Sequence, residues 1–402
     1  MKPKIHKRIP VEEVRIGMYV VDLDRPWLDT AFKLQGFPVT TGEQIDALKS
    51  YCKSVYIDLE YDPASADDSL GEASTLPLRG TEVYPETTPL EKEVTRAREI
   101  FFECQQTFVQ SFDDLRATQR LDAQRLRSAV SSMTDSVLRN PDAMLLLAKL
   151  ERKGQYELTR ALDTSVLMIT FGRFLQQSRE RIELLGLAGL LLDVGKVKIP
   201  DAILKKRDVL SPEEYEVAKT HVTHSADIIR ADTSLRQEVV DVVLLHHERH
   251  NGSGYPRGLR GGEISLEGSV ASLTDCYSAL TSERPYTDPI SPSNALSALY
   301  KQRGELFHGA LVEQFIQCVG IYPVGSVVEL NTGEIGIVLA QNLARRLQPR
   351  VMVILDPDMK PLNPQKVLDL LKDPKATADE PYRIRRTLPA DKLPINPRDF
   401  FL

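Results

Sequence analysis

Five of the chain's seven histidines, His221, His224, His246, His247 and His250, fall within 30 residues, in a region whose apolar spacing is helical. Ser211, Pro212 and Glu214 make a capping box with proline at the first helical position, which predicts a helix from there to about Arg230 with His221 in its middle. A second helix is expected to start near Ser234, with Gln237 at its third position, and to carry His246 and His247 near its end, before NGSGYP stops it. Adjacent residues stand about 100° apart on a helix. Both rings can therefore reach one point only if that point lies off the helix end or between helices. A metal ion is such a point. Imidazoles with carboxylates suit zinc, iron, manganese or nickel. Asp193 and Asp275 are the carboxylate candidates, because each ends or interrupts an apolar stretch and a buried carboxylate needs a partner. The candidate set is thus His221, His246 and His247 with these acids, while His224 and His250 read as ordinary satisfied or exposed histidines.

The remaining chain divides by pattern. Residues 1–61 read as a small α+β module, with MYVVDLD and SVYIDLE as strands and TGEQIDALKSYC as the helix between them. Residues 62–89, rich in Pro, Ser, Thr and acids, read as a flexible linker. Residues 90–154 form a helical connector, 155–321 a helical domain, and 322–402 a β appendage with a tail that wraps or frays. Within the connector Val94, Phe101, Phe108 and Leu115 recur every seven residues, with Ala97 and Cys104 between. That stripe suits either a homodimer seam through helix 94–115 or packing on the chain's own next domain. The fold class expected is mainly α, a helical bundle with a small N-terminal α+β module and a short C-terminal β appendage.

A net charge of -6 with 27% charged residues gives no pull toward nucleic-acid backbones, so DNA is not an expected partner. No apolar run approaches the roughly 18 residues of a membrane span, and MKPKIHKRIP lacks the apolar core of a signal peptide, so a cytoplasmic location and no membrane are expected. Cys52, Cys104, Cys276 and Cys318 form no CxxC and read as packing thiols.

Three segments in order, DVGKVKIPDAIL, HHERHNGSGYPRGLRGGEISL and SLTDCYSALTSERPY, resemble the HD-GYP family of cyclic di-GMP phosphodiesterases. The resemblance covers roughly residues 155–320, and residues 5–60 resemble the small module that often precedes such domains. It implies a helical HD bundle that holds two or three metals, usually iron or manganese, whose bridging hydroxide attacks a phosphodiester of the bound dinucleotide. Carried over by position, the metal ligands are Asp193, His221, His246, His247 and Asp275. Lys196 and Arg284 take the family's phosphate-facing cations, and Gly254, Tyr255 and Pro256 the GYP loop itself, which recruits ligand or partner.

The departures fall on one side of that site. Leu192 stands where the family has the histidine of HD, and Thr164 and Arg160 stand where it supplies another histidine and sometimes a glutamate. Ser278 replaces an aspartate common in active members. Arg160 brings a fixed positive charge that opposes a nearby cation. One transition metal at most, Fe, Mn, Zn or Ni, is therefore expected, with the second absent. The leading functional expectation is a degenerate HD-GYP protein, a receptor for cyclic di-GMP or a related nucleotide or a regulatory partner in that signalling. An enzyme that still hydrolyses cyclic di-GMP or its linear product pGpG is the first alternative. A scaffold whose GYP loop, 94–115 helix and N-terminal module bind proteins such as diguanylate cyclases is the second.

Overall fold

A computed structural model of the protein describes residues 6–24, 37–39, 41–58, 78–118, 120–150, 156–206, 208–282, 289–342, 345–377 and 380–388. The chain divides into two compact units, Met1–Thr75 and Leu76–Leu402. In the first, β1 (His6–Pro10), β2 (Tyr19–Leu23), β3 (Phe37–Pro38), α1 (Gly42–Tyr51) and β4 (Ser54–Asp58) form an antiparallel sheet in the order β1-β4-β2-β3 with one helix. Thr41 starts the helix: its hydroxyl accepts the Gln44 amide at 3.3 Å, and the Gln44 side chain accepts the Thr41 amide at 3.0 Å. Ile9, Val20, Leu48, Val55 and Ile57 close its own core.

The second unit is built from helices α2 (Leu90–Thr118), α3 (Ala123–Arg139), α4 (Pro141–Leu150), α5 (Tyr156–Phe174), α6 (Arg179–Leu191), α7 (Asp201–Leu204), α8 (Pro212–Lys219), α9 (His221–Arg230), α10 (Gln237–Leu245), α11 (Leu266–Thr281), α12 (Pro292–Lys301) and α13 (Gly309–Val319). A sheet follows, β5 (Val327–Leu330), β6 (Ile335–Ala340), β7 (Arg350–Leu355), β8 (Pro361–Asp369) and β9 (Ile384–Leu388), antiparallel in the order β8-β7-β6-β5-β9. Its strands alternate between two cores: Val327, Ile337 and Met352 join the helical core, while Val328, Val338 and Val351 pack with Tyr322 and Leu368 on the other face. The fold class is mainly α, as expected.

Of the two readings of the heptad stripe, packing within the chain is the one found: Ala97, Phe101, Cys104, Phe108 and Leu115 are buried against the chain's own α3 and α4. Three expectations need correction. Helices α2 to α4 are accordingly no connector, since Leu126, Met133 and Met144 share one core with Leu162 and Leu190. Of the segment read as a linker, residues 59–77 lie outside the described residues, but 78–89 is tied to the helices. Gly80 donates to the Leu175 carbonyl at 2.9 Å, Glu82 to Gln176 at 3.1 Å and Thr87 to Arg139 at 3.1 Å. A Cβ at Gly80 would stand 2.1 Å from the Gln176 oxygen, so the contact requires glycine. Backbone pairing of this kind leaves no periodicity in a sequence. The last 40 residues, finally, supply most of β8 and all of β9. Pro364 is compatible with β8 because that strand lies at the sheet edge.

Two helix boundaries also differ. The chain from Pro212 to Arg230 is two helices, α8 and α9, because the Thr220 amide closes a three-residue turn on the Val217 carbonyl at 3.1 Å. His221 therefore opens α9 instead of standing mid-helix. Ser234 does not cap α10, since its amide is held by the Asp232 side chain at 2.9 Å and the helix begins at Gln237.

Because the α2 stripe is spent inside the protomer, Phe108→Ala should lower stability by about 3–5 kcal/mol, the usual cost of emptying a buried phenylalanine site. Urea denaturation should read that loss, while light scattering should find the oligomeric state of the wild type retained.

Candidate metal centre

The centre forms where helix ends converge. Asp193 follows α6 and opens a 3-10 turn, Val194–Lys198, that lies against α9. The Ser225 hydroxyl accepts the Gly195 amide at 2.8 Å and donates to the Leu192 carbonyl at 2.9 Å. Gly195 permits the approach, because a Cβ there would stand 2.2 Å from the His221 carbonyl oxygen and 2.3 Å from the Ser225 nitrogen. His246 ends α10 and His247 lies in the turn beyond it. The three imidazole centroids are 4.1 to 5.6 Å apart.

The hydrogen bonds set the tautomers. His221 donates through Nδ1 to the Ala218 carbonyl, and His246 through Nδ1 to the Val243 carbonyl, both at 2.6 Å. Each Nε2 then carries a lone pair, and both are buried with no hydrogen-bond partner among the described residues. Burial pushes the His221 pKa down to about 4 against the pull of Asp193. Burial likewise lowers His246, and it holds His247 well below the usual range together with the two neighbouring rings. All three are therefore neutral near pH 7. His221 Nε2 faces Asp193 Oδ1 at 3.3 Å, so two acceptors point at each other. Asp193, His221, His246 and His247 each offer a ligand atom within 4.8 Å of the others'. Orphaned lone pairs, ring orientation by backbone carbonyls and one carboxylate are the donor set that a transition metal fits.

The other half of the centre is closed by a guanidinium. Arg160 on α5 donates through Nη1 to Asp193 Oδ2 at 2.5 Å and through Nη2 to Asp275 Oδ1. Lys196 Nζ reaches the same Asp193 Oδ2 at 2.8 Å. Burial raises the Asp193 pKa, but Lys196 and Arg160 together outweigh it and hold this carboxyl well below the usual range. Asp275 consequently lies outside the four-residue set, as the partner of Arg160. Lys196, expected to face phosphate, pairs with Asp193, and Arg284 lies outside the described residues. Leu192 is buried in the core, and Thr164 and Ser278 are buried too, the Ser278 hydroxyl without a partner among the described residues.

The GYP loop returns to the histidines. The Tyr255 amide donates to the His247 carbonyl at 3.1 Å, and its ring stacks on His247 at 4.6 Å and 25°. Gly254 leaves no room for a side chain, since a Cβ would come within 2.4 Å of the Arg249 nitrogen. Pro256 is exposed beside it. Two supporting residues went unread in the sequence. Buried Glu248 accepts the Arg257 and Leu259 amides at 2.7 and 2.9 Å and so holds the loop. Arg249 donates to the His246 carbonyl at 3.1 Å and to Ser272 at 2.5 Å. Their signal was a charged pair directly after two ligand-type histidines, in HHERH.

The HD domain family matches residues 143–311, a domain of unknown function (DUF3391) residues 6–126, and a KOW domain associated with HD domains residues 327–381. A cyclic di-GMP phosphodiesterase of Pseudomonas aeruginosa is 34% identical over 368 residues, 90% of this chain and 89% of that protein. The chain belongs to the HD-GYP family. A cyclic di-GMP phosphodiesterase of Thermotoga maritima is 39% identical over 131 residues, 32% of this HD-GYP chain and 36% of that one. A 3'3'-cGAMP-specific phosphodiesterase of Vibrio cholerae is 36% identical over 131 residues, 32% of this chain and 25% of that one. Among the described residues of this HD-GYP protein no helix is long and apolar enough to cross a membrane.

The neutral histidines have a pH signature. The unfolded chain takes up a proton at such a histidine near pH 6.5, the folded protein at His221 only near 4. Stability from this group is thus fully present above about 6.5 and lost as pH falls toward about 4, at roughly 1 kcal/mol per unit. Asp193, with its depressed pKa, contributes its own loss only at still lower pH. Urea midpoints of metal-free protein at pH 7 and pH 5 should show the fall, and His221→Leu should reduce it.

Proposed function

We propose that this protein acts in cyclic di-GMP signalling as a mononuclear HD-GYP protein that binds cyclic di-GMP or a closely related cyclic dinucleotide. In this reading it is a receptor or regulatory partner with reduced or absent phosphodiesterase activity. The observation that carries the reading is the Arg160 guanidinium between Asp193 and Asp275. The resemblance makes both carboxylates metal ligands, and without ligands at Thr164 and Leu192 they are all that would remain for a second ion, yet here a fixed side-chain cation pairs with both of them. Asp193, His221, His246 and His247 would hold one ion of Fe, Mn, Zn or Ni. Such an ion supplies Lewis acidity and positive charge where an anionic ligand docks. The chain's own residues do the rest: backbone carbonyls keep both Nε2 atoms directed at the site, and Arg160 with Lys196 keeps Asp193 ionised.

A second reading, an active phosphodiesterase working through one metal, is favoured by the 34% identity over 90% of the chain to a protein named as a cyclic di-GMP phosphodiesterase. Elemental analysis of protein purified without chelator, beside a cyclic di-GMP hydrolysis assay, separates the two. We expect at most one transition metal per chain and little turnover. Arg160→Glu with Thr164→His and Leu192→His should bring a second ion and raise turnover, because two imidazoles and a carboxylate return as the guanidinium goes. Leu192→His alone should do little, since Arg160 stays. Two tightly held ions in the wild type, or hydrolysis at the rate of intact family members, would overturn the degenerate reading.

A further inference from the structure

Helix α8 buries none of its side chains, yet it carries a tyrosine and a lysine one turn apart that lead toward the metal centre. Lys219 Nζ lies 5.3 Å from the centroid of the Tyr215 ring and 5.5 Å from that of Tyr255. One ammonium therefore sits between two phenol rings, one from the helix and one from the GYP loop. Tyr255 in turn stacks on His247. The succession His247, Tyr255, Lys219, Tyr215 runs from the buried imidazoles to a ring that is 49% exposed. Lys219 is also paired with Glu216 of its own helix at 2.5 Å, which restrains the ammonium beside the rings.

Nothing in the packing of the core accounts for this arrangement, since neither Tyr215 nor Lys219 belongs to a hydrophobic cluster. The ligand class proposed above has two chemical parts, anionic phosphates and flat purine rings. The histidine centre suits the first part, and one face of its His247 ring is already covered by Tyr255. An exposed aromatic ring beside a lysine is the combination with which proteins hold an unpaired base and its phosphate.

We propose that Tyr215 and Lys219 form a base-binding platform beside the metal centre, Tyr215 stacking on one purine ring of a cyclic dinucleotide and Lys219 meeting the adjoining phosphate. The platform rests on the cyclic dinucleotide reading and adds to it the subsite for a base. It makes α8, rather than the HD or GYP residues, the element that selects for a purine-bearing ligand.

Isothermal titration calorimetry of the full chain with cyclic di-GMP at several salt concentrations tests it. Tyr215→Ala should weaken binding about 5- to 150-fold, the range for loss of one base–aromatic stack, and Tyr215→Phe should stay within about twofold of the wild type. Lys219→Gln should weaken binding and flatten its salt dependence, as loss of a phosphate contact does. Circular dichroism and metal content should be unchanged in all three variants, because α8 buries no side chain. Wild-type affinity in Tyr215→Ala, or equal losses in Tyr215→Ala and Tyr215→Phe, would overturn the stacking role while leaving the function proposed above in place. Wild-type affinity and salt slope in Lys219→Gln would overturn the phosphate role. A wild type that binds no cyclic dinucleotide would remove that function, and the platform with it.

Discussion

Two carboxylates and two cations in one small space govern the centre. Asp193, just beyond the end of α6, meets Asp275 from within α11, and there Arg160 is 8% exposed and Asp275 4%. Buried charges are strongly unfavourable unless paired and hydrogen-bonded. Arg160 spans both acids and Lys196 adds a second cation on Asp193, so this half of the centre has as many cations as carboxylates without any ion. The histidine half is the opposite case. Its rings are neutral and two of its Nε2 atoms are buried without a hydrogen-bond partner among the described residues. One half is closed by the chain's own charge, and the other gathers the four residues that could hold a metal ion.

The scaffold brings this about through close backbone approaches. The 3-10 turn after α6 can lie on α9 only because Gly195 has no side chain, and the GYP loop can return to His247 only because Gly254 has none. Ser225 and Glu248 then satisfy the buried amides that these approaches create. Such residues do no chemistry themselves. They set the distances at which His221, His246 and Asp193 meet.

Much of this was legible in the chain. The capping box at Ser211 and Glu214 is present, with Pro212 opening α8, and the adjacent histidines do lie off a helix end, as their angular separation on a helix demands. What was left open or misread shares a physical cause: it depends on contacts between distant segments. The 94–115 stripe shows that one face of a helix is buried but not against what, and α3 and α4 cover it. Residues 78–89 are held by backbone bonds that carry no side-chain pattern, and β8 and β9 are made strands by their partners in the sheet.

The sequence by itself determined the helical class, the separate N-terminal α+β module and the identity of the histidine and acid candidates. These are properties of residue type and spacing, which local physics reads directly. Only the tertiary structure decided where the cations go. Arg160 could be recognised in the sequence as a charge hostile to a metal, but not as the bridge between Asp193 and Asp275, which lie 33 and 115 residues away. Lys196 is expected from the resemblance to face phosphate, and in the fold it is paired with Asp193. Electrostatic energy depends on distance in space, and distances between α5, α6 and α11 exist only once the core has packed.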